Sequence, residues 1–288
     1  MIGELSYFLG LQMSQTMAGM FISQAKYLKD MLKIYGMEDC SPMSTSMTTD
    51  CKLSKDDDSP PVDATHYRST IGALLYLTAT RLKITQAVGM VGRFQSTPKQ
   101  SHLLAVKRIQ RYLKGTHDFS LWYPKSSTFT VTAYTDADWA RSVDDQKSTS
   151  GNAFFLGDYL VSWLNKKQTS ISLSIAEAEY IAIADCCTQI LWMKESLKDV
   201  NIGTNQPITI YCDNKSVISL SKNPVMHSNT KHIPIKYHFL HEQVAEQNII
   251  LEYINTKEKI ADIFTKPLPG EAFEHLRQKM GIISLASP

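Results

Sequence analysis

The apolar residues of this chain change their period near Lys114-Gly115-Thr116, and that change restricts the possible folds more than any other feature of the sequence. Upstream the spacing is helical. Tyr27, Leu28, Met31, Leu32 and Tyr35 recur every three or four residues, with Gly36 as a stop. Residues 67–95 repeat the pattern with a break near Thr78–Lys83, and Ser101–Lys114 carries Leu103, Val106, Ile109 and Leu113 on one side. Downstream, Phe129, Val131, Ala133 and Thr135 alternate with Thr128, Thr130, Thr132 and Tyr134, the period of a strand. Two domains are expected, residues 1–124 and 125–288, which also suits a length of 288 residues.

Within the first domain, Leu5–Met13 and Met20–Ser23 read as a hairpin turning at Ala18-Gly19. Residues 38–63, with Pro42, Pro60, Pro61 and the run Asp56-Asp57-Asp58, read as a surface loop. The rest of this domain is expected to be mostly helical. In the second domain, further strands are expected at Asn152–Leu156, Leu160–Leu164 and Ser170–Leu173, followed by a long helix from Ala176 to Asp199. Cys186-Cys187 lies inside that helix and reads as core packing. A strand at Ile208–Cys212, a helix from Lys215, a helix at His232–Gln247, a strand at Ile249–Ile254 and a helix from Lys259 complete the order. The class is α/β: a meander first, then alternation of strand and helix.

Lys and Arg number 30 against 28 Asp and Glu, so no global field recruits a polyanion. The balance is uneven, with 14 basic and 10 acidic residues before Lys125 and 16 and 18 from there on. A phosphate grip must therefore be local. Lys107, Arg111 and Lys114 fall at i, i+4 and i+7 with Arg108 adjacent, a stripe that either holds phosphates or is a solvated face. Five cysteines at no metal-ligand spacing fit reduced thiols in an intracellular protein, in the cytoplasm or the nucleus. The uncharged stretch Leu5–Ala25 is too polar for a transmembrane helix, so no membrane association is expected.

The chemistry is carried by the acids. Asp136 ends the first strand of the second domain, Glu179 starts its long helix, Asp213 ends a later strand, and Asp262 begins the last helix. Each alone suits a helix cap, a helix start or a turn. Strand C-termini and helix N-termini can converge at one edge of an open sheet, and carboxylates gathered there need a divalent cation to offset their repulsion. Two Mg²⁺ ions about 4 Å apart would suit phosphodiester hydrolysis.

A set of collinear strings carries a resemblance: YFLGLQM (7–13), YRSTIGALLYLTATR (67–81), RYLKGT (111–116), YTDADWA (134–140), KSTSG (147–151), FFLG (154–157), SWLNKKQ (162–168), AEAEYIA (176–182), YCDNKS (211–216), TKHIPIKYHF (230–239) and ADIFTKPL (261–268). Over nearly its whole length the chain resembles the C-terminal part of Ty1/copia-type retrotransposon Pol polyproteins. The resemblance implies a ribonuclease H-like domain with a mixed five-stranded sheet flanked by helices, preceded by the end of a reverse transcriptase: palm end, thumb and connection. It implies an endonuclease that cuts the RNA strand of RNA/DNA hybrids with two Mg²⁺ ions, for which Mn²⁺ can substitute, in company with other Pol and Gag products. The metal-binding acids carried over are Asp136, Glu179, Asp213 and Asp262, with Glu177 the competitor of Glu179 and Asp138, beyond the strand end, either a support behind the metal-binding acids or a turn acid. Lys107, Arg108, Arg111, Lys114, Lys166 and Lys167 are the candidate phosphate contacts. Tyr134, Trp139 and Trp163 are expected in the core.

The resemblance also has departures. The aromatic-x-Asp-Asp polymerase motif is expected upstream of Met1, as in a fragment of a longer frame; the nearest match, Ser142-Val143-Asp144-Asp145, reads as a solvated turn. Relatives usually have Thr-Arg-Pro-Asp-Ile where Thr80-Arg81-Leu82-Lys83-Ile84 stands, and Ser-Ser-Thr where Ser174-Ile175-Ala176 stands. Loss of the helix cap next to Glu179 would cost about 1 kcal/mol. The His that many ribonucleases H carry before the last acid is replaced by residues 255–258, so its role is either missing or supplied by Lys257 or Glu258. The alternatives are a catalytically inactive nucleic-acid-binding remnant of a degenerate element, or a fragment that does not fold. His227, His232, His238 and His241 cluster without a completing ligand and do not read as a zinc site.

Overall fold

A computed structural model describes residues 6–125, 129–202, 206–222 and 234–284. They fall into two compact units, Met1–Lys125 with Pro267–Pro288, and Ser126–Lys266.

The first unit begins with strands β1 (Tyr7–Phe8), β2 (Leu11–Thr16) and β3 (Gly19–Ser23). Helices α1 (Ala25–Ile34), α2 (Ala64–Leu77), α3 (Thr85–Val91) and α4 (Gln100–Gly115) follow, and then strand β4 (Phe119–Pro124). The expected strand at 5–13 is folded back on itself. Leu9 and Gly10 take φ of 46° and 75°, and the Tyr76 hydroxyl donates to the Leu9 carbonyl, which fixes a tight turn there. The expected break between helices is a 3-10 turn at Leu82–Ile84.

Helices α1 to α4 make up most of this unit's regular structure, as expected, and its strands join a five-stranded antiparallel sheet in the order β1-β2-β3-β4-β10, where β10 is Ile282–Ser284. One expectation needs correction: the second domain does not run to residue 288. Helix α8 (Gly270–Lys279) and β10 belong to the first unit, where β10 covers the edge of β4, Phe273 meets the Tyr112 ring and the Arg277 guanidinium lies over Phe119. Apolar and cation–π contacts draw this tail back, and no short-range signal in the sequence reports them.

The second unit holds β5 (Val131–Asp138), β6 (Thr149–Leu156), β7 (Tyr159–Lys167), α5 (Ile175–Asp199), β8 (Ile208–Cys212), α6 (Lys215–Lys222), α7 (Pro234–Ala245) and β9 (Ile249–Tyr253). The sheet order is β7-β6-β5-β8-β9. The pairs β7/β6 and β6/β5 are antiparallel, while β5/β8 and β8/β9 are parallel. Crossing from β7 to the parallel β8 takes the long helix α5, which is why Ile183, Cys186, Cys187 and Ile190 are buried against Val131, Ala133, Ile210 and Leu251 of the sheet. The vicinal cysteines are core, and burial pushes the Cys187 thiol up to about 12.

Residues 170–173 form no strand; they lead into the cap of α5. The Ser174 side chain accepts from the Glu177 N–H at 3.1 Å, and the Glu177 carboxylate accepts from the Leu173 N–H at 2.6 Å. The expected loss of the cap is therefore corrected: Ser174 supplies it. The expected helix from Lys259 is instead a pair of 3-10 turns, Thr256–Glu258 and Ile260–Phe264. Pro267 and Pro269 prevent its continuation as a helix.

Gly151 brings the second of these turns onto the sheet. It sits opposite Asp136 on β6, and a Cβ there would lie 2.6 Å from Thr265 Cγ2, 2.9 Å from Phe264 Cβ and 3.0 Å from the Ala261 carbonyl. Among the described residues no helix is long and apolar enough to cross a membrane. Gly151→Val should lower stability by about 1–3 kcal/mol through overpacking, read as a lower urea midpoint. Gly270→Ala, at a glycine with open space around it, should stay within about 0.5 kcal/mol.

Candidate functional site

Parallel pairing sets two acids side by side. Tyr134 on β5 is in register with Tyr211 on β8, so the same register continued by two residues makes Asp136 level with Asp213. Glu179 comes from the first turns of α5, and Asp262 from the 3-10 turn that Gly151 admits. Carboxylate oxygens of Asp136, Glu179 and Asp213 all lie within 4.8 Å of one another. Asn214 takes the capping duty, its Oδ1 accepting from the Ser216 and Val217 N–H groups at 3.1 and 3.3 Å, which leaves the Asp213 carboxylate for the cluster.

A lysine sits among these acids. Lys259 is 1% exposed; its Nζ donates to Asp136 Oδ1, reaches Asp213 Oδ1 at 2.5 Å and Glu179 Oε1 at 3.3 Å, and stands 3.9 Å from Asp262 Oδ1. The Thr265 hydroxyl donates to Asp136 Oδ2, Thr256 Oγ1 donates to Asp213 Oδ2 at 2.8 Å, and Lys266 Nζ reaches Asp262 Oδ2 at 2.9 Å. Glu179 Oε2 and Asp262 Oδ1 are buried without a hydrogen-bond partner.

Burial dominates the electrostatics. It raises Glu179 to about 8, with the charges of Asp136 and Asp213 adding to the rise and Lys259 opposing it. Burial and then Asp136 raise Asp262 to about 7, against Lys266 and Lys259. For Asp136, burial alone would raise the carboxyl, but Lys259, Lys266 and the Thr265 hydroxyl outweigh it and hold it below the usual range. Burial works against the Lys259 ammonium, and its carboxylate neighbours outweigh that and push it above the usual lysine value.

The four carried-over acids thus surround one ammonium. No role is expected from sequence for Lys259, Thr256, Thr265 and Lys266, although the 259/262/266 spacing is a signal that joins the two lysines to Asp262. Glu177 is turned away, holding the Leu173 N–H. Asp138 is the last residue of β5, paired with Thr149, and not beyond the strand; its carboxylate is 3.9 Å from Arg141 Nε.

The basic stripe on α4 is largely spent on the loop after α1. Arg108 donates to Thr45 Oγ1 at 2.9 Å, Arg111 to the Ser41 carbonyl at 2.7 Å and Lys114 to the Glu38 carbonyl, while Lys107 is exposed. Lys167 pairs with Asp145 at 2.7 Å and Lys166 is exposed. The three aromatic residues expected in the core are not fully buried. Trp139 is 43% exposed with its Nε1–H on the Ser172 carbonyl, Tyr134 stacks on Tyr211, and Trp163 is half-buried. His227 and His232 lie outside the described residues.

A mixed sheet in this order, crossed by one long helix after a three-strand meander, defines a ribonuclease H-like α/β domain. No family model matches the chain. The retrovirus-related Pol polyprotein from transposon RE1 of Arabidopsis thaliana is 38% identical over 279 residues, 97% of this chain and 19% of the relative's length. The chain belongs to the family of retrovirus-related Pol polyproteins of copia-type transposons, and spans about a fifth of the length of this one and of two others, from transposon RE2 of Arabidopsis thaliana and transposon TNT 1-94 of Nicotiana tabacum. The foamy viral protease-reverse transcriptase, solved in complex with RNA/DNA hybrid, aligns with a TM-score of 0.50 and 10% identity over 86% of this chain and 29% of that one. LC11-RNase H1 aligns with a TM-score of 0.36 and 13% identity over 51% of this chain and 98% of its own.

The raised carboxyl of Glu179 has a definite sign in stability. Without metal, the folded state keeps a proton that the unfolded chain releases between the ordinary value of 4.5 and about 8, so stability falls as pH rises through that window. In EDTA, the urea midpoint should drop from pH 5 to pH 8.5, and Glu179→Gln should flatten the slope.

Proposed function

We propose that the second unit is a divalent-metal-dependent endonuclease that hydrolyses the RNA strand of RNA/DNA hybrids, leaving 5′-phosphate and 3′-hydroxyl ends. The observation that carries this reading is the convergence of Asp136, Glu179 and Asp213 from two parallel strands and one helix, with oxygens within 4.8 Å. The donor set fits a hard cation: it offers carboxylate oxygens, and Glu179 Oε2 and Asp262 Oδ1 are buried with no hydrogen bond to satisfy them. Asp136, Glu179 and Asp213 would hold Mg²⁺ or Mn²⁺, with Asp262 beside them. Such an ion supplies Lewis acidity toward a phosphoryl oxygen and activates water.

The chain's own groups do the rest. Thr265 and Thr256 orient the Asp136 and Asp213 carboxylates. Exposed Lys166 offers a sequence-independent phosphate contact, while Lys167 is engaged by Asp145. The foamy viral relative in fold, solved with an RNA/DNA hybrid, supports that substrate class. Other Pol and Gag products of a copia-type element are the proposed partners, since the matched relative is a Pol polyprotein.

One observation favours a second reading. Lys259 already neutralises part of the cluster, as it would in a catalytically inactive nucleic-acid-binding remnant. Cleavage separates the two. The wild-type chain should cut the RNA of a labelled hybrid in Mg²⁺ or Mn²⁺ and not in EDTA, and should leave double-stranded RNA intact. Asp213→Asn should lose more than about 100-fold, beyond the loss from an outer-shell partner. A folded, hybrid-binding protein that cuts nothing in either metal would sink the enzyme reading. Lys166→Ala should weaken hybrid binding equally for all sequences and reduce the salt slope by about one, measured by fluorescence anisotropy across a salt series.

A further inference from the structure

The metal reading leaves one side chain unexplained. Lys259 is a buried cation within the carboxylate set assigned to the metal, contacting Asp136 Oδ1, Asp213 Oδ1 at 2.5 Å, Glu179 Oε1 at 3.3 Å and Asp262 Oδ1 at 3.9 Å. An ammonium has three hydrogens to donate and four carboxylates are around it. Asp262 Oδ1 is the oxygen left over, and Glu179 Oε2, the other oxygen of a carboxylate that meets the ammonium through Oε1, is likewise without a hydrogen bond. Mg²⁺ draws its oxygens in to about 2.0–2.1 Å, closer than any N–H···O contact, so one set of oxygens cannot serve both cations at once. Lys266 is held separately on Asp262 at 2.9 Å and does not compete for Asp136, Glu179 or Asp213 in the same way.

We infer that Lys259 is a built-in counter-ion that exchanges with the divalent cation: the ammonium leaves the cluster when metal enters and returns when metal leaves. This rests on the metal-dependent reading of the same site. The position of Lys259 suits the movement. It joins the two 3-10 turns, one of them exposed around Thr256 and Lys257, the other buried from Ile260 to Phe264. Its four-carbon stem swings without moving the backbone of the buried turn. Thr256 keeps Asp213 oriented, and Thr265 keeps Asp136 oriented, whichever cation is present. The exchange lets the four carboxyl groups be assembled before any metal arrives, at the expense of metal affinity.

The test uses the full chain as wild type, Lys259→Met and Lys259→Arg, with Mn²⁺ and Mg²⁺ binding measured by calorimetry and Tm measured in EDTA and in metal. Lys259→Met should bind Mn²⁺ at least about tenfold more tightly, melt lower in EDTA and gain more from metal; Lys259→Arg should stay as weak as wild type. Acetylation of wild-type Lys259, read by mass spectrometry, should be slow in EDTA and rise in saturating Mn²⁺, a readout that needs no variant to fold. Equal Mn²⁺ affinity in wild type and a folded Lys259→Met overturns the exchange, as does metal binding with Lys259 equally protected. Absence of binding in both proteins overturns the metal reading itself.

Discussion

The second unit is organised around an electrostatic problem: four carboxylates brought from four chain segments into a space that water barely reaches. Left alone they would repel and desolvate one another beyond what the sheet could hold. The Lys259 ammonium, the Thr256 and Thr265 hydroxyls and Lys266 make the gathering tolerable, each on a different oxygen. Much of the surrounding geometry serves this arrangement. Parallel pairing of β5 and β8 aligns two of the acids, the long helix delivers the third, and a glycine opposite Asp136 makes room for the fourth.

The division of labour between neighbouring acids follows from local backbone demands. Glu177 and Glu179 are two residues apart on one helix, and only one serves the cluster, because the other answers an open N–H at the helix start. Likewise Asn214 takes the cap of α6 and leaves Asp213 unencumbered. A helix terminus that satisfies its own orphan donors with a second residue is what keeps the first available for chemistry.

Most of the strand and helix order in the second unit was legible because periods of two and 3.6 are written in side chains that lie close in sequence; the exception among the strands is Ser170–Leu173, a short apolar run that leads into the cap of α5. The four acids were legible through motifs and their places on that order. What stayed hidden depended on short 3-10 turns, which have no hydrophobic period, and on contacts across long sequence separations. Lys259 and Thr265 belong to the first kind, and the return of α8 and β10 to the first unit belongs to the second. The stripe on α4 shows a different limit. Its spacing was read correctly as one face, yet spacing cannot distinguish a face turned to solvent from one that ties down the carbonyls of a loop some 70 residues earlier in the chain, as Arg111 does to Ser41.

The pairing of β10 with β4 makes the second unit an insertion within the first. During synthesis, residues 126–266 leave the ribosome as one uninterrupted segment and can close their sheet at once, whereas the enclosing unit waits for its final strand. Until then β4 has a bare edge, open to pairing with any extended chain nearby. Premature termination just after the acid cluster would therefore spare the inserted domain and leave its host with an adhesive rim.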